Sequence, residues 1–408
     1  MTACSDGITL VASAMHVLIA ALSRMTQPTG ICRHAANLSK CLAASDEVRE
    51  VTLLVGKWQV HYFRHTFALD RIPKLRLVGI DISRQALARN YWYLFGLPEA
   101  VAHYAPDVVH LAFPIPLLRN RIFAAVVSTV HDLYPYDMPD NFGGLRSHLN
   151  RLFLRTCALN SDHVVCVSEA TRARMRQIFP SLPEESCSRV YNIVSDVWTT
   201  CAVPVAALAN ADYLLAVAQH RQNKNLALLL RSFADLLKRG ALSDSTLLVI
   251  IGNEGPETPR LQALIKRLSL SSNVLMMSSL SDSELAWLYR HCILMVAPSL
   301  VEGFNLPLAE ALACGCQIVC SDIPTHREIA GECCEYFNPG SSTAIEALSR
   351  AIVRFLAQPK KVRFSRERFF EGAVAAHHVA LYRELLTARS HSHTLAIIEA
   401  PDDAPAHP

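Results

Sequence analysis

Two carboxylates, Glu302 and Glu310, flank a turn where a short apolar run gives way to a helical pattern. Residues 298–331 read PSLVEGFNLPLAEALACGCQIVCSDIPTHREIAG. The pattern predicts a strand over 293–297, a loop over 299–305, a helix over 306–314 and a further strand over 317–320. Asn305 suits the N-cap, Pro307 is tolerated in the first helical turn, and Gly315 suits the left-handed position after the last turn. A loop at a strand's carboxyl end that opens a helix presents backbone N–H groups to an anion such as phosphate. Glu302 in the loop and Glu310 about one turn into the helix could accept hydrogen bonds from sugar or ribose hydroxyls, or serve only as solvent-facing caps. Cys314, Cys316 and Cys320 fit no ordinary structural zinc spacing and fall on the expected helix and strand, so they read as buried thiols.

The run E-G-F-N-L-P-L-A-E-A-L-A-C-G closely resembles the E-x7-E signature of the retaining glycosyltransferases of family 4, which have the GT-B fold. Glu302 and Glu310 occupy the two acidic positions, and Ser321, Asp322, Pro324, Glu328 and Gly331 fit the usual continuation. Asn305 stands where Gly is more usual and Gln317 where Pro is. The resemblance implies that Glu302 positions sugar hydroxyls and steadies the reacting ring, that Glu310 binds the ribose, and that Gly303, Phe304, Asn305 and Leu306 form the donor loop and helix start.

Other segments resemble the same family. VAQHRQNKN at 217–225 is similar to its basic diphosphate-binding loop, with Lys224 as the Lys, Gln219 where an Arg is frequent, and Arg221 as a substitute cation. A departing nucleoside diphosphate needs fixed positive charge where negative charge develops. Gly252, within Ile-Gly-Asn-Glu-Gly, resembles the glycine turn near the nucleotide, and 281–292 resembles the helix after the base-contacting region. Gly30, in Gln27–Arg33, resembles the Gly-rich first loop that admits donor phosphate or acceptor. His131, in Ser128–Leu133, matches the V-H-D-L element whose His borders the donor sugar, with Asp132 supporting it; Ser168 and Arg172 belong to a V-S-E-like element. The catalytic assignments are therefore Glu302, His131 and Lys224.

Around these segments, short and almost wholly apolar runs alternate with helical patterns, as in parallel strands covered on both faces. Strands are expected at 16–21, 51–55, 108–111, 125–130, 163–167, 213–217, 247–251, 274–277, 293–297 and 317–320. A helix over 226–239 carries Leu228, Leu229, Phe233, Leu236 and Leu237 at helical spacing; one over 282–291 has Ser281 as its N-cap. The class is α/β, with two Rossmann-like, doubly wound parallel-sheet domains. The expected order is an extension over 1–14, an acceptor-side domain over 15–198, a linker over 199–211 and a nucleotide-sugar domain over 212–370. A helix over 371–389 is expected to return to the first domain, ahead of a mobile tail over 390–408. Ligands bind at the carboxyl ends of such strands, so the two sheets are expected to face each other across a cleft.

The 408 residues, 51% hydrophobic and 18% charged, can fill sizeable cores and exclude global disorder. At roughly 100–200 residues per domain, two domains are expected. With 39 Lys and Arg against 36 Asp and Glu, the net charge of +3 is too balanced for a nucleic-acid binder. Thirteen irregularly spaced Cys indicate free thiols in a reducing compartment. The 15-residue run Ile8–Leu22 is shorter than the roughly 18–20 residues of a membrane span and lacks a basic signal-peptide flank, so a soluble or peripheral protein is expected. Arg71–Phe95 sets five basic residues beside Tyr91, Trp92, Tyr93 and Phe95. It reads equally as contact with an anionic membrane or as an ordinary amphipathic helix.

The resemblance implies transfer of a hexose from a nucleotide sugar (GDP- or UDP-linked) to a glycan or lipid-linked acceptor, with retention, at the cytoplasmic side or inner membrane face. Mannose is slightly favoured by 218–225 and the HDL element. No D-x-D lies between a strand and a turn, so no catalytic metal is indicated and no cofactor is expected beyond the nucleotide-sugar substrate. A sugar-nucleotide sensor without turnover is disfavoured by the presence of both Glu residues, and a GT-B epimerase by the V-H-D-L element and glycine loop.

Overall fold

The computed structural model describes residues 14–26, 29–139, 144–200, 202–359 and 364–398. The expected extension, apart from its last residue, and the last ten residues of the expected tail lie outside them. Seven strands form the first sheet: β1 (Met15–Ala20), β2 (Val48–Gly56), β3 (Leu75–Ile80), β4 (Val108–Leu111), β5 (Ala125–Val130), β6 (His163–Cys166) and β7 (Cys187–Arg189). Their order is β3-β2-β1-β4-β5-β6-β7, and β1 pairs in parallel with both β2 and β4. Six strands form the second: β8 (Tyr213–Val217), β9 (Leu247–Ile251), β10 (Val274–Met277), β11 (Leu294–Ala297), β12 (Ile318–Ser321) and β13 (Glu335–Phe337). Their order is β10-β9-β8-β11-β12-β13, with every pairing parallel.

The central strands are buried along their whole length, as their apolar composition requires. β1, β5 and β12 expose no residue. Two parallel, doubly wound sheets are thus present. β3, β7 and β13 are the strands the periodicity did not disclose. β3 lies at a sheet edge with partly exposed residues on both faces, and β7 and β13 have three residues each. β3 also corrects one of the two readings of Arg71–Phe95, which is not a single amphipathic helix: its first half pairs with β2, and helical turns start only at Ala86.

The helices that concern the site are α1 (Gly30–Ala43), α2 (Tyr134–Asp137), α3 (Glu169–Ile178), α4 (Leu226–Lys238), α5 (Asp282–His291), α6 (Leu306–Ala313), α7 (Pro324–Ala330), α8 (Ala344–Ala357) and α9 (Glu371–Ile398). α4 buries Leu226, Leu229, Leu230, Phe233 and Leu236, while Leu228 and Leu237 lie at the margin, so its apolar stripe is turned from the one the spacing suggested. Each fully buried Leu or Phe contributes about 1.5–3 kcal/mol. α5 starts in a capping box: the Ser281 hydroxyl accepts Glu284 N–H and the Glu284 carboxylate accepts Ser281 N–H. α9 continues as helix to Ile398, past the point where a tail was expected.

The chain divides into two compact units. The first comprises Met1–Ser128, Asn160–His163 and Ala375–Pro408; the second comprises Thr129–Leu159 and Val164–Val374. In the first unit, Tyr382 of α9 lies 2.6 Å from His110 Nδ1, which joins the helix to the end of β4. Among the described residues, no helix is long and apolar enough to cross a membrane.

Candidate active site

Most of the residues singled out by sequence lie in the second unit, and their positions follow from the turns that hold them. β11 ends at Ala297, and the chain runs through Ser299–Asn305 into α6. Asn305 adopts the left-handed conformation (φ 67°, ψ 70°), which Gly tolerates best and Asn next best. Its Oδ1 accepts Leu308 N–H as the helix cap, and its Nδ2 lies 2.9 Å from His326 Nε2. His326 Nδ1 lies 2.9 Å from the Ser321 carbonyl, so Nδ1 carries the proton and Nε2 accepts from Asn305. Burial pushes the imidazole down to about 4, which keeps it neutral as that arrangement demands.

Glu302 is almost fully buried, its side chain 3% exposed. Lys224 Nζ reaches its Oε1 at 2.6 Å, Ser299 Oγ donates to the same oxygen at 2.7 Å, and Tyr134 OH donates to Oε2 at 3.0 Å. Burial alone would raise this carboxyl. The Lys224 charge and hydrogen bond, with Ser299, outweigh it and hold the group below the usual carboxylate range. The main chain is held as firmly. Thr325 Oγ1 of α7 donates to the Glu302 carbonyl at 2.7 Å, and the hydroxyls of Ser168 and Thr171 at the start of α3 both reach the Gly303 carbonyl, at 2.5 and 3.1 Å. On α7, Glu328 in turn accepts the N–H groups of Glu169 and Ala170 at 2.6 and 3.0 Å. This bidentate cap satisfies donors that a helix start leaves open.

Gly303 admits no side chain. A Cβ there would fall 1.6 Å from the backbone oxygen of His131. His131 therefore meets this loop through its carbonyl. Beside it, burial raises the Asp132 carboxyl to about 6, against the opposing pull of Tyr134 N–H and Arg221.

The basic loop that follows β8 sits against the glycine turn. A Cβ at Gly252 would lie 2.0 Å from the Ala218 oxygen, and one at Gly255 would lie 2.3 Å from the His220 oxygen, so both glycines are required by close backbone approach. The Asn223 carbonyl accepts Leu300 N–H at 2.8 Å, joining this loop to the one that carries Glu302. Among the described residues, the buried Nε of Arg221 has no hydrogen-bond partner. A buried guanidinium N–H without an acceptor is an unmet donor, the condition that an anion would relieve.

The structure thus brings Lys224, Glu302, Gly303, Asn305, Asp132 and the His131 carbonyl together. Glu310 is placed differently. It is 5% exposed, and Tyr289 OH of α5 lies 3.4 Å from its Oε2. Phe304 is a core residue, its ring tilted against Tyr191 and edge-on to Phe369, so only its backbone is available at the helix start. Leu306 is partly buried at the first position of α6. Gly30 opens α1 in the first unit behind the Thr29 cap. Ser168 acts on the Gly303 carbonyl, and Arg172 pairs with Glu169. Sequence reasoning missed Tyr134, Ser299, Thr325 and His326. Ser299 and Tyr134 each stand three residues from a singled-out position, Glu302 and His131, and proximity was the sole available signal. Of the three cysteines considered together, all free thiols, Cys316 Sγ lies 3.4 Å from Cys292 Sγ, Cys314 donates to the Trp198 carbonyl, and Cys320 is hydrogen-bonded to the free thiol of Cys334.

Comparison with known proteins identifies the family and the fold. The family described as "Glycosyl transferases group 1" matches residues 205–369, and "Glycosyltransferase Family 4" matches residues 28–196. O-antigen chain mannosyltransferase RfbU of Salmonella typhimurium is 29% identical over 355 residues, covering 83% of this chain and 93% of that protein. An N-acetylgalactosaminyltransferase of Campylobacter jejuni, whose name specifies a diphospho-undecaprenol-linked substrate, is 30% identical over 69% of this chain and 73% of its own. Among solved structures, sucrose-phosphate synthase from Thermosynechococcus elongatus superposes with a TM-score of 0.70 at 19% identity, over 92% of this chain and 100% of that one. WaaG, a glycosyltransferase involved in lipopolysaccharide biosynthesis, gives 0.65 at 18% identity, over 91% and 98%. At these identities the structural likeness shows the fold, which is GT-B.

Proposed function

Because the chain belongs to the family 4 glycosyltransferases of group 1 and is a glycosyltransferase, we propose that it moves a hexose from a nucleoside-diphosphate sugar to a glycan or lipid-linked acceptor. The anomeric configuration is retained, and the product is a polysaccharide or glycolipid. Mannose is the favoured hexose, since two relatives are named O-antigen chain mannosyltransferases. The observation that carries this reading is the buried Lys224–Glu302 pair at the loop that opens α6.

An entering diphosphate would compete for Lys224 and meet the unmatched donor of Arg221 and the first N–H groups of α6. Glu302, released from Lys224, would accept sugar hydroxyls while Ser299 and Tyr134 keep its carboxylate in place. The leaving diphosphate, rather than a protein carboxylate, would take the acceptor's proton on the same face of the sugar. In this reading cations of the chain and the helix start stabilise the departing charge, so no metal or other cofactor is assigned a role. Glu310, His131 and Gly252 are assigned to the donor as well, Glu310 to the ribose and His131 to the border of the sugar. The reading places the enzyme at the cytoplasmic side, with the inner membrane face within reach. Exposed Leu87 and Tyr91 near Arg84 support that contact.

The test is a thermal-shift panel of GDP-, UDP- and ADP-sugars, followed by assay of nucleoside diphosphate release with and without octyl α-mannoside. Release that depends on the acceptor supports transfer. Binding without release would identify a sensor, and conversion without acceptor an epimerase.

A further inference from the structure

Glu302 has a second side that the donor reading does not use. Within the second unit a cavity of about 440 Å³ opens beside it, lined among others by Asp132, Tyr134 and Asp137 from the segment after β5 and by Ala173, Arg174 and Gln177 of α3. Lys224 and Arg221 are not part of its wall. Its volume lies in the range of small-molecule sites, about 300–1,000 Å³.

The chemistry of the wall specifies what fits. Of the three carboxyl groups in the wall, Glu302 is paired with Lys224 at 2.6 Å and Asp137 with Arg174 at 2.8 Å, which leaves Asp132 as the one without an ion pair among the described residues. A phosphate there would meet the Asp132 carboxyl and, in the wall, no cation other than the paired Arg174, so the cavity suits a diphosphate less well than the loop of Arg221 and Lys224 does. Hydroxyl groups suit it, because carboxylates are strong acceptors and each has several lone pairs. Among the described residues, Asp132 accepts one hydrogen bond, from Tyr134 N–H at Oδ1 (3.1 Å), and Oδ2 accepts none. Gln177 offers its amide N–H groups, its oxygen being held by Arg174 at 3.2 Å. Leu300, Val301, Ile323 and Pro324 give the wall an apolar side, the surface that the C–H face of a pyranose ring requires.

We propose that this cavity seats the terminal sugar of the acceptor and selects a neutral, hydroxyl-rich ring over one bearing phosphate or carboxylate. The proposal rests on the glycosyltransferase reading and adds the acceptor's chemical class. The acceptor's reacting end is an uncharged sugar, and any phosphate of a lipid carrier lies farther out.

The experiment titrates the full chain, with GDP or UDP present, with methyl α-mannopyranoside, methyl α-glucopyranoside and N-acetylglucosamine, and in parallel with glucuronate and glucose 6-phosphate, by saturation-transfer NMR. At least one neutral sugar should bind saturably, with the anionic ones at least tenfold weaker. Ala173 is an exposed helix position. Ala173→Phe should close the cavity mouth and weaken neutral-sugar binding at least tenfold, and Gln177→Ala about five- to tenfold, the worth of one hydrogen bond. The nucleotide-induced thermal shift should be unchanged in both. Asp137→Asn, which frees Arg174, should narrow the gap between glucuronate and the neutral sugars. Anionic sugars binding as well as neutral ones, neutral-sugar binding unaffected by both α3 variants, or no neutral sugar binding at all would overturn the proposal. A wild-type chain without any nucleotide shift would instead overturn the glycosyltransferase reading.

Discussion

Replacing Lys224 with Met tests the energetic core of the site. The carboxylate it pairs with is 3% exposed, whereas the Lys side chain is 19% exposed. Removing the cation leaves a buried charge with two neutral donors, Ser299 and Tyr134. Stripping one partner from a buried pair costs about 3–5 kcal/mol; solvent access on the Lys side points to the lower end, about 3 kcal/mol. At roughly 2–4 °C per kcal/mol for a unit of this size, melting should fall by about 6–12 °C at pH 7. The pH dependence follows from the direction of the shift. In the wild type the Glu302 carboxyl is held below its unfolded value, so its contribution is present above about pH 4.5 and is lost as pH falls through the lower folded value. Without Lys224, burial dominates and the folded value rises above the unfolded one. The penalty then grows as pH rises and fades as the carboxyl protonates in acid. The assay is a set of melting curves from pH 4 to 8 for wild type, Lys224→Met and Lys224→Met/Glu302→Gln. The double variant should recover much of the loss, because the uncompensated charge is gone. A Lys224→Met melt within 1 °C of wild type, or a double variant no more stable than the single, would show that the Glu302 charge does not depend on Lys224.

Two further outcomes follow from the loop. Gly303→Ala places a methyl group 1.6 Å from the His131 oxygen, so the backbone must move; a fold that survives should lose about 100-fold in kcat, the cost of about 1 Å of misplacement, and an Ala variant with normal kcat would count against the geometry. Asn305→Ala should cost about 2–3 kcal/mol, from the left-handed backbone and the lost cap, whereas Asn305→Gly should cost less, as read by urea unfolding. His326, depressed to about 4, gives stability that is present above pH 6.5 and is lost as pH falls toward 4, and that slope should vanish in His326→Phe.

Much of the second sheet could be read from the chain because its strands are short, apolar and bounded by clear helical stripes. Tyr213–Val217, Leu247–Ile251 and Val274–Met277 lie where the apolar runs do. β3 escaped because Arg76 and Gly79 interrupt its apolar run of Leu75, Leu77, Val78 and Ile80, so it shows neither the unbroken apolar run of a central strand nor a clean alternation. In the site, Glu302 and Lys224 were legible from a local pattern that fixes type and spacing together. Tyr134 was not, since its bond to Glu302 joins positions 168 residues apart in sequence and nothing local to Tyr134 announces it. Glu310 shows the opposite case. Its place in the motif was plain, yet its burial against Tyr289 depends on how α5 packs beside α6.

The anchoring of residues 302–305 by α7 bears on how this protein can be recombined. Thr325 answers the Glu302 carbonyl, His326 answers the Asn305 amide, and Glu328 secures the helix start that holds Gly303. The motif is therefore no self-sufficient cassette. A chimera spliced at Gly315 would inherit the acidic loop without its fastenings, whereas one spliced beyond Gly331 would carry loop, helix and fastenings across the junction together.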